Sequence, residues 1–237
     1  MDNLSKKKKK QQNKSNKPSK IIVWIIGIVA IVIAVIIFLS NANTSSNTNS
    51  ANEIDYDGQP FLGEESAPVK IVEFGDYKCI HCKNFNDTLF PQIKKDLVDT
   101  GKASFYFINY SFINTDSIRS AKFAETVYKE LGNEKFWEFH ELLFENHPGN
   151  MESEKKDVLT QSFLEEALSK IATDEETKKV MDSFEKDSAD AAWKTDMDMV
   201  KELNVQSTPT LFINGKKFEG SSYDDLKKAV EEAANKE

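Results

Sequence analysis

The feature that most constrains this chain is an unbroken apolar run of nineteen residues, Ile21–Leu39 (IIVWIIGIVAIVIAVIIFL). As a helix that rises about 1.5 Å per residue, the run nearly matches the roughly 30 Å thickness of a bilayer's hydrocarbon core. It is therefore long enough to cross a membrane once. The sequence predicts a transmembrane anchor over residues 21–39 and a separate body after it.

The charges are distributed in blocks around this run. Residues 1–20 contain eight lysines and one aspartate, and residues 21–40 contain no charged side chain. Because the whole chain has a formal net charge of −8, the remainder carries −15. The positive-inside rule then predicts that the lysine-rich segment is cytoplasmic and the body extracytoplasmic. Since the acidic body lacks a basic face, we expect no nucleic-acid binding.

A cleaved signal peptide is the alternative, because Ser40 and Ala42 are small residues with the spacing of a processing site. The run exceeds the about 7–15 apolar residues of a signal peptide, which favours an uncleaved anchor. Residues 40–55 come next, and Ser40–Asn52 (SNANTSSNTNSAN) has no charge and no large apolar side chain. Such a segment buries too little surface to offset the entropy of ordering it, so we expect a disordered tether.

The body opens with a strand, a helix and a second strand. Val69–Phe74 (VKIVEF) and Ala103–Ile108 (ASFYFI) are rich in β-branched and aromatic residues, which predicts two buried strands. Between them, apolar residues at four-residue spacing predict a helix from His81 to Leu97, with a possible break at Pro91.

The pattern is helical over about residues 114–203 and then returns to a strand. Thr210–Ile213 (TLFI) precedes Asn214-Gly215, a dipeptide typical of two-residue hairpin turns. A final helix is expected from Ser222, whose spacing to Asp225 resembles a capping box. This order predicts an α/β fold class with a helical insertion.

Cys79 and Cys82 are the only cysteines, and two residues separate them. A pair with this spacing at the start of a helix can cycle between dithiol and disulfide. Free N–H groups and the partial positive charge of a helix N-terminus stabilise a thiolate on the first cysteine. The sequence therefore predicts Cys79 as the nucleophile and Cys82 as the resolving thiol. No cofactor is expected beyond this redox pair.

Three other interpretations of the cysteine pair agree less well with the sequence. A structural disulfide over so short a loop removes little entropy from the unfolded chain. A zinc site needs two more ligands, and the chain offers only His81, His140 and His147 and no second CxxC motif, so we expect no metal. Two idle thiols do not suit the oxidising compartment that the anchor predicts.

Neighbouring side chains are candidates for tuning this chemistry. His81 lies between the cysteines, where a protonated ring would favour a thiolate, and its alternative is a solvent-facing residue. Glu73 interrupts the buried strand, so it should have a raised pKa and exchange a proton with Cys82, unless it reaches water at the strand end. Lys78 is expected to be solvated.

The second group of candidate site residues is the segment Ser207-Thr208-Pro209-Thr210. Proline at the start of a strand-like segment is explained either by a cis peptide in a tight turn or by an ordinary trans proline on an edge strand. In the cis form, the Thr208 backbone would be free to bind an extended substrate strand beside the cysteines. Thr208 and Pro209 are therefore candidate substrate-binding residues.

At this point the residues resemble a known family. Ala67–Cys82 (APVKIVEFGDYKCIHC) is similar to the active-site segment of the DsbA family of thioredoxin-fold thiol:disulfide oxidoreductases. Phe136–His140 (FWEFH) resembles its helical insertion, and Val205–Gly215 (VQSTPTLFING) resembles its cis-proline loop and hairpin. These matches cover about residues 56–237 in consistent order. With the lysine-rich anchor, the chain resembles more narrowly the membrane-tethered BdbD type of Gram-positive bacteria.

The resemblance implies a thioredoxin-like core split by a helical domain, with Cys79 as the exposed nucleophile and Pro209 in cis. It implies that the protein oxidises reduced, unfolded exported proteins and is re-oxidised by a DsbB-like membrane quinone reductase. Ile80 and Ser207 depart from the family, because proline is frequent at the first position and glycine at the second. We expect a monomer. An isomerase usually needs a dimerisation segment, and none is visible between the tether and Val69.

Two other functions remain open. One is a membrane-anchored thiol reductase, for example in cytochrome maturation, although the helical insertion argues against it. The other is a binding module or chaperone that keeps the fold without redox chemistry, although the intact cysteine pair argues against that.

Overall fold

The computed structural model describes residues 54–235. The predicted lysine-rich segment and anchor, and nearly all of the predicted tether, lie outside these residues. Within the described range, no helix is both long and apolar enough to cross a membrane.

A five-stranded mixed sheet forms the centre of the body, in the order β1-β3-β2-β4-β5. The two central strands are parallel, and Ile71 of one lies opposite Phe105 of the other. The other three pairings are antiparallel. The strands are β1 (Phe61–Leu62), β2 (Val69–Gly75), β3 (Ala103–Asn109), β4 (Thr210–Ile213) and β5 (Lys216–Lys217).

Helices surround the sheet, and five of them lie between β3 and β4 in the chain. The helices are α1 (Ile80–Thr88), α2 (Phe90–Ile93) with the π-helical turn Lys94–Val98, α3 (Thr115–Leu131), α4 (Asn133–Glu145), α5 (Gln161–Ser169), α6 (Asp174–Phe184), α7 (Asp190–Glu202) and α8 (Tyr223–Ala234). A short 3-10 turn covers Ser153–Lys155.

The helix predicted from His81 to Leu97, with a possible break at Pro91, is divided in two near that proline. The first helix is capped at Leu89, two residues before the possible break, and Pro91 lies in the first turn of α2. Proline is tolerated there because the first N–H groups of a helix have no partner within the helix.

Each face of the sheet is covered by its own apolar core. Alternate residues of β2 point to opposite faces, as the pleat of a strand requires. Val69 and Ile71 pack with α1, α8 and the helices α3 to α6, whereas Val72 and Phe74 pack with residues of α7. Glu73 follows the alternation of Ile71, so its carboxyl belongs to the face that carries α1.

Two buried carboxyl groups fix the insertion helices to the sheet. The Asn109 side chain at the end of β3 donates to Glu125 of α3 at 2.8 Å and to Asp196 of α7 at 2.9 Å. The Gln59 side chain also donates to Asp196, at 2.9 Å. Burial raises the pKa of Asp196 to about 6, and burial together with the Asp196 charge raises that of Glu125 well above its usual range.

Candidate active site

The turn between β2 and α1 places both cysteines at the end of the sheet. Asp76 organises this turn: its backbone carbonyl accepts the Cys79 N–H at 2.9 Å, and its carboxylate accepts the Lys78 N–H at 2.9 Å. The same carboxylate accepts the N–H groups of Phe112 and Ile113 from the segment after β3. Burial raises the pKa of Asp76 to about 6, and these hydrogen bonds oppose the shift.

Cys79 is the N-cap residue of α1, and Cys82 lies within the first turn. Both carry free thiols, and Cys82 is fully buried. Cys79 is only 4% exposed, so the expectation of an exposed nucleophile was wrong, because the proline loop covers its sulfur. A hydrogen bond from the Cys82 thiol, opposed by burial, lowers the pKa of Cys79 to about 5; the Thr208 side chain and the N–H groups of Cys82 and His81 contribute in the same direction. Burial, and then the interaction with Cys79, raises the pKa of Cys82 well above its usual range.

The two thiols therefore differ strongly in pKa. At neutral pH, a thiol with a pKa of about 5 is roughly 99% thiolate, whereas the buried resolving thiol is neutral. One sulfur is consequently the nucleophile and the better leaving group.

The proline loop lies directly against this pair. The Cys79 thiol donates to the Thr208 carbonyl, with 3.4 Å between sulfur and oxygen. The Thr208–Pro209 peptide bond is cis. Thr208 is buried and Pro209 is half-buried. The structure thus brings the two segments of the predicted site together, although 129 residues separate Cys79 from Thr208 in the chain.

Glu73 lies beneath the cysteines and is only 2% exposed. The alternative that it reaches water is wrong, because its side chain belongs to the buried face of a central strand. Burial, and then the charge on Cys79, raises the pKa of Glu73 well above its usual range, while the Cys82 thiol acts in the opposite direction. Its Oε1 atom has no hydrogen-bond partner among the described residues. A buried carboxyl group in this position can exchange a proton with a cysteine.

His81 contributes through its backbone. Its side chain is exposed, and its ring makes no hydrogen bond to any residue in 54–235. The solvent-facing alternative therefore describes the ring, whereas the N–H group of His81 helps to lower the pKa of Cys79. The tuning role of the ring stays a prediction.

Lys78 differs most from its expectation, because it is 1% exposed rather than solvated. Its ammonium forms a buried ion pair with Asp116 of α3 at 2.9 Å and donates to the carbonyls of Ser153 and Lys156, at 2.6 Å each. One opposite charge and two carbonyl acceptors satisfy an ammonium that would otherwise be too costly to bury. Lys78 thus joins the cysteine turn to the insertion.

The side chains of the other two histidines, His140 and His147, are buried and contact neighbouring residues of the domain. The Tyr77 hydroxyl and the His140 Nδ1 atom are 3.2 Å apart, and burial lowers the pKa of His140 to about 3. The His147 Nδ1 atom accepts the Gly149 N–H, so its Nε2–H donates to the Lys78 carbonyl at 3.0 Å. No cluster of metal-ligating side chains is present among residues 54–235.

A buried cysteine pair, a helix N-terminus and an adjacent cis-proline loop on a mixed sheet define the class of thioredoxin-like redox proteins. The thioredoxin family profile matches residues 55–232. Disulfide bond formation protein D of Bacillus subtilis is 37% identical over 175 residues, which cover 73% of this chain and 76% of that protein. The probable disulfide bond formation protein D of Bacillus cereus is 34% identical over 181 residues, or 76% and 81% of the two chains.

A solved structure has a similar fold. Oxidised BdbD from Bacillus subtilis superimposes with a TM-score of 0.70 and 35% identity, over 78% of this chain and 97% of that one. The chain therefore belongs to the DsbA family of thioredoxin-fold thiol:disulfide oxidoreductases, and its predicted enzyme class is confirmed.

Proposed function

We propose that the protein is an extracytoplasmic disulfide oxidase that introduces disulfide bonds into exported proteins. The observation that carries this direction of transfer is the unequal pair of thiols. Stabilising the Cys79 thiolate stabilises the reduced enzyme, and a stabilised reduced form makes its disulfide a strong oxidant. The names of the relatives, which refer to disulfide bond formation, support the same direction.

The proposed reaction has two exchange steps. A substrate thiolate attacks Cys79 of the Cys79–Cys82 disulfide, which forms a mixed disulfide and releases Cys82. The second substrate thiolate then attacks the substrate sulfur of the mixed disulfide and releases Cys79 as a thiolate. The substrate thiols are oxidised to a disulfide, and the enzyme disulfide is reduced to a dithiol. The low pKa of Cys79 favours the second step because a less basic thiolate leaves faster.

Glu73 has a role in the first step. Cys82 has a raised pKa, so it leaves poorly as a thiolate and needs a proton. A buried carboxyl whose pKa is raised retains a proton and can deliver it to Cys82. In the reverse direction, the carboxylate would take up that proton when the disulfide forms again.

The reduction potential of the Cys79–Cys82 pair tests the direction of transfer. We expect a value nearer the about −120 mV of a strong oxidant than the about −270 mV of a thioredoxin reductant. The measurement is the equilibrium of the purified chain with a glutathione redox series, read by thiol alkylation. A value at or below about −270 mV would contradict the proposal and favour the membrane-anchored reductase.

Replacing Glu73 with glutamine tests its proton transfer. We expect mixed-disulfide formation with a dithiol peptide at pH 7 to slow by about tenfold or more, since the amide cannot protonate Cys82. We also expect the stability of E73Q relative to wild type to increase by about 1–3 kcal/mol from pH 5 to pH 8, because only wild type has a carboxyl whose pKa is raised on folding.

The pH dependence gives this prediction its sign. A carboxyl whose pKa is raised in the folded state does not affect stability below its unfolded pKa, because it is protonated in both states. It lowers stability as the pH rises above the unfolded pKa and through the folded pKa. The advantage of E73Q should therefore grow from acidic to alkaline pH in urea unfolding. Glu64 is exposed, so E64Q is the control and should change neither rate nor stability. Equal rates for E73Q and E64Q would exclude Glu73 as the proton donor.

The proposed location follows from the sequence, and the proposed partners follow from the resemblance to the DsbA family. The single anchor over residues 21–39, with lysines before it, would tether the body outside the cell membrane. Reduced, unfolded exported chains would be the electron donors, and a DsbB-like membrane quinone reductase would accept the electrons. We propose that the body acts as a monomer.

A further inference from the structure

A carboxylate from the helical insertion shares the N-terminus of α1 with the Cys79 sulfur. The Oε1 atom of Glu154 accepts the backbone N–H of Ile80 at 2.9 Å. Ile80 is the first residue of α1 and the covalent neighbour of Cys79. The N–H groups of the next two residues, His81 and Cys82, interact with the Cys79 sulfur and lower its pKa. The first turn of one helix is thus divided between two anionic groups.

The hydrogen bond depends on a residue that departs from the family pattern. Proline is frequent at this position in the DsbA family, and proline has no N–H group. Ile80 supplies one. An unpaired N–H at the start of a helix needs an acceptor, and Glu154 satisfies it.

Glu154 is held in this position by the insertion. It lies within the 3-10 turn Ser153–Lys155. The buried Lys78 ammonium binds the carbonyls of Ser153 and Lys156, on either side of Glu154. The Asn114 side chain approaches the Glu154 carbonyl at 3.5 Å. Because the turn is fastened to the residue before Cys79, the backbone of Glu154 is held beside the helix terminus.

The negative charge of Glu154 has no cationic partner within the described residues. No lysine, arginine or histidine in 54–235 forms an ion pair with it, and the nearby Lys78 is already paired with Asp116. Other ionisable groups around Cys79 include Cys82, the buried Glu73 and Asp76, and the exposed His81 on the same helical turn. A carboxylate without a counter-ion competes with a thiolate for the same positive helix end.

We infer that Glu154 is a positioning residue that limits the oxidising strength of the Cys79–Cys82 pair by placing a fixed negative charge at the N-terminus of α1. The charge disfavours the thiolate form of the reduced enzyme and so disfavours reduction. This inference rests on the proposed function of the cysteine pair and adds a means by which the insertion sets its redox potential.

Replacing Glu154 with glutamine separates charge from hydrogen bonding, because the amide oxygen still accepts the Ile80 N–H. In purified full-length E154Q, we expect the acid dissociation constant of Cys79 to rise about three- to tenfold. The thiolate is measured by its ultraviolet absorbance during a pH titration. The equilibrium constant with glutathione should shift by the same factor toward a more oxidising pair, where tenfold is about 30 mV.

Glu152 provides the matched control. It is exposed, lies two residues earlier in the same loop, and approaches Lys155 and Lys156 at 3.8 Å each. E152Q changes the net charge by the same amount and should leave both constants within about 1.5-fold, because exposed charges away from the helix end are screened. Equal shifts in E152Q and E154Q, or no shift in E154Q, would overturn the inference.

Two further variants test the anchoring. If E154A shifts both constants and E154Q does not, Glu154 is only a structural cap and the inference fails. Ile80→Pro removes the N–H that fixes the carboxylate, and proline is tolerated at the first position of a helix. The effect of E154Q should therefore shrink at least twofold in the I80P background, and an undiminished effect would exclude this hydrogen bond as the anchor. The wild-type potential tests the proposed oxidase independently of these differences.

Discussion

Cys79→Ser is expected to abolish disulfide transfer, with a loss of activity of more than about 1,000-fold. The variant cannot form the intramolecular disulfide or the mixed disulfide, and a serine hydroxyl at neutral pH is not a substitute for a thiolate with a pKa of about 5. Cells that carry C79S in place of the wild type should accumulate exported proteins with free thiols. Alkylation of cell-surface proteins followed by mass spectrometry measures this accumulation.

Cys82→Ser is the matched control for C79S. It retains the low-pKa nucleophile but lacks the resolving thiol, so it should hold substrates as mixed disulfides at Cys79. These adducts should be visible on non-reducing gels and absent from C79S. A chaperone or binding module of the same fold would keep its cellular role in both variants, and that result would contradict the proposed function.

The sequence predicted the chemistry better than the surroundings that support it. The strands β2, β3 and β4 follow from short β-branched and aromatic runs. The cysteine spacing and the strand before it place the pair at the start of a helix. These features are local, so composition and periodicity are sufficient to reveal them.

The surroundings depend on contacts between distant segments. Lys78 is an ordinary surface residue by sequence, and only the fold brings it to Asp116 and to the carbonyls of residues 153 and 156. Glu125 and Asp196 meet at Asn109 from two different helices. No short-range pattern predicts such partners, because burial of a charge is decided by tertiary packing.

Helix α6 shows a second limit of prediction from the sequence. Its sequence, DEETKKVMDSF, is mostly charged, and its inner face consists of the buried Thr177 and Val180 with the half-buried Met181 and Phe184. The helix begins instead with a capping box between Thr173 and Glu176. The three apolar residues of this face lie among the last five residues of the helix, so its periodic signal is short. The apolar stripes predict the other insertion helices, α3, α4, α5 and α7, but no separate helix over 174–184.

Lys78→Met should cause the largest loss of stability, about 3–5 kcal/mol. The substitution leaves the Asp116 carboxylate, which is fully buried, without its counter-ion, and it removes the donor shared by two backbone carbonyls. Methionine has similar length, so the loss reports the charge rather than a cavity. Urea unfolding at pH 7 gives the free energy, and the midpoint of thermal unfolding should fall by roughly 10 °C.

Lys83→Met is the control, because Lys83 forms an ion pair with Asp87 at 2.6 Å on the exposed face of α1. Surface pairs of this kind contribute at most about 0.5 kcal/mol. A double-mutant cycle adds the second test. Asp116→Asn keeps an oxygen for the N–H groups of Val158 and Leu159 but removes the charge. The variant that combines K78M with D116N should therefore lose about 1–3 kcal/mol less than the sum of the single variants.

The same substitution links the stability of the insertion to the cysteine pair. Without the Lys78 ammonium, the turn that carries Glu154 is no longer fastened beside Cys79, so the effect of E154Q on the Cys79 pKa should be smaller in the folded fraction of K78M than in the wild-type background. If K78M is destabilised no more than K83M, or if the double variant shows no coupling, the buried ion pair does not join the two parts of the domain. A destabilised K78M in which E154Q keeps its full effect on the Cys79 pKa would show that the ion pair stabilises the fold without holding the Glu154 charge at the helix terminus.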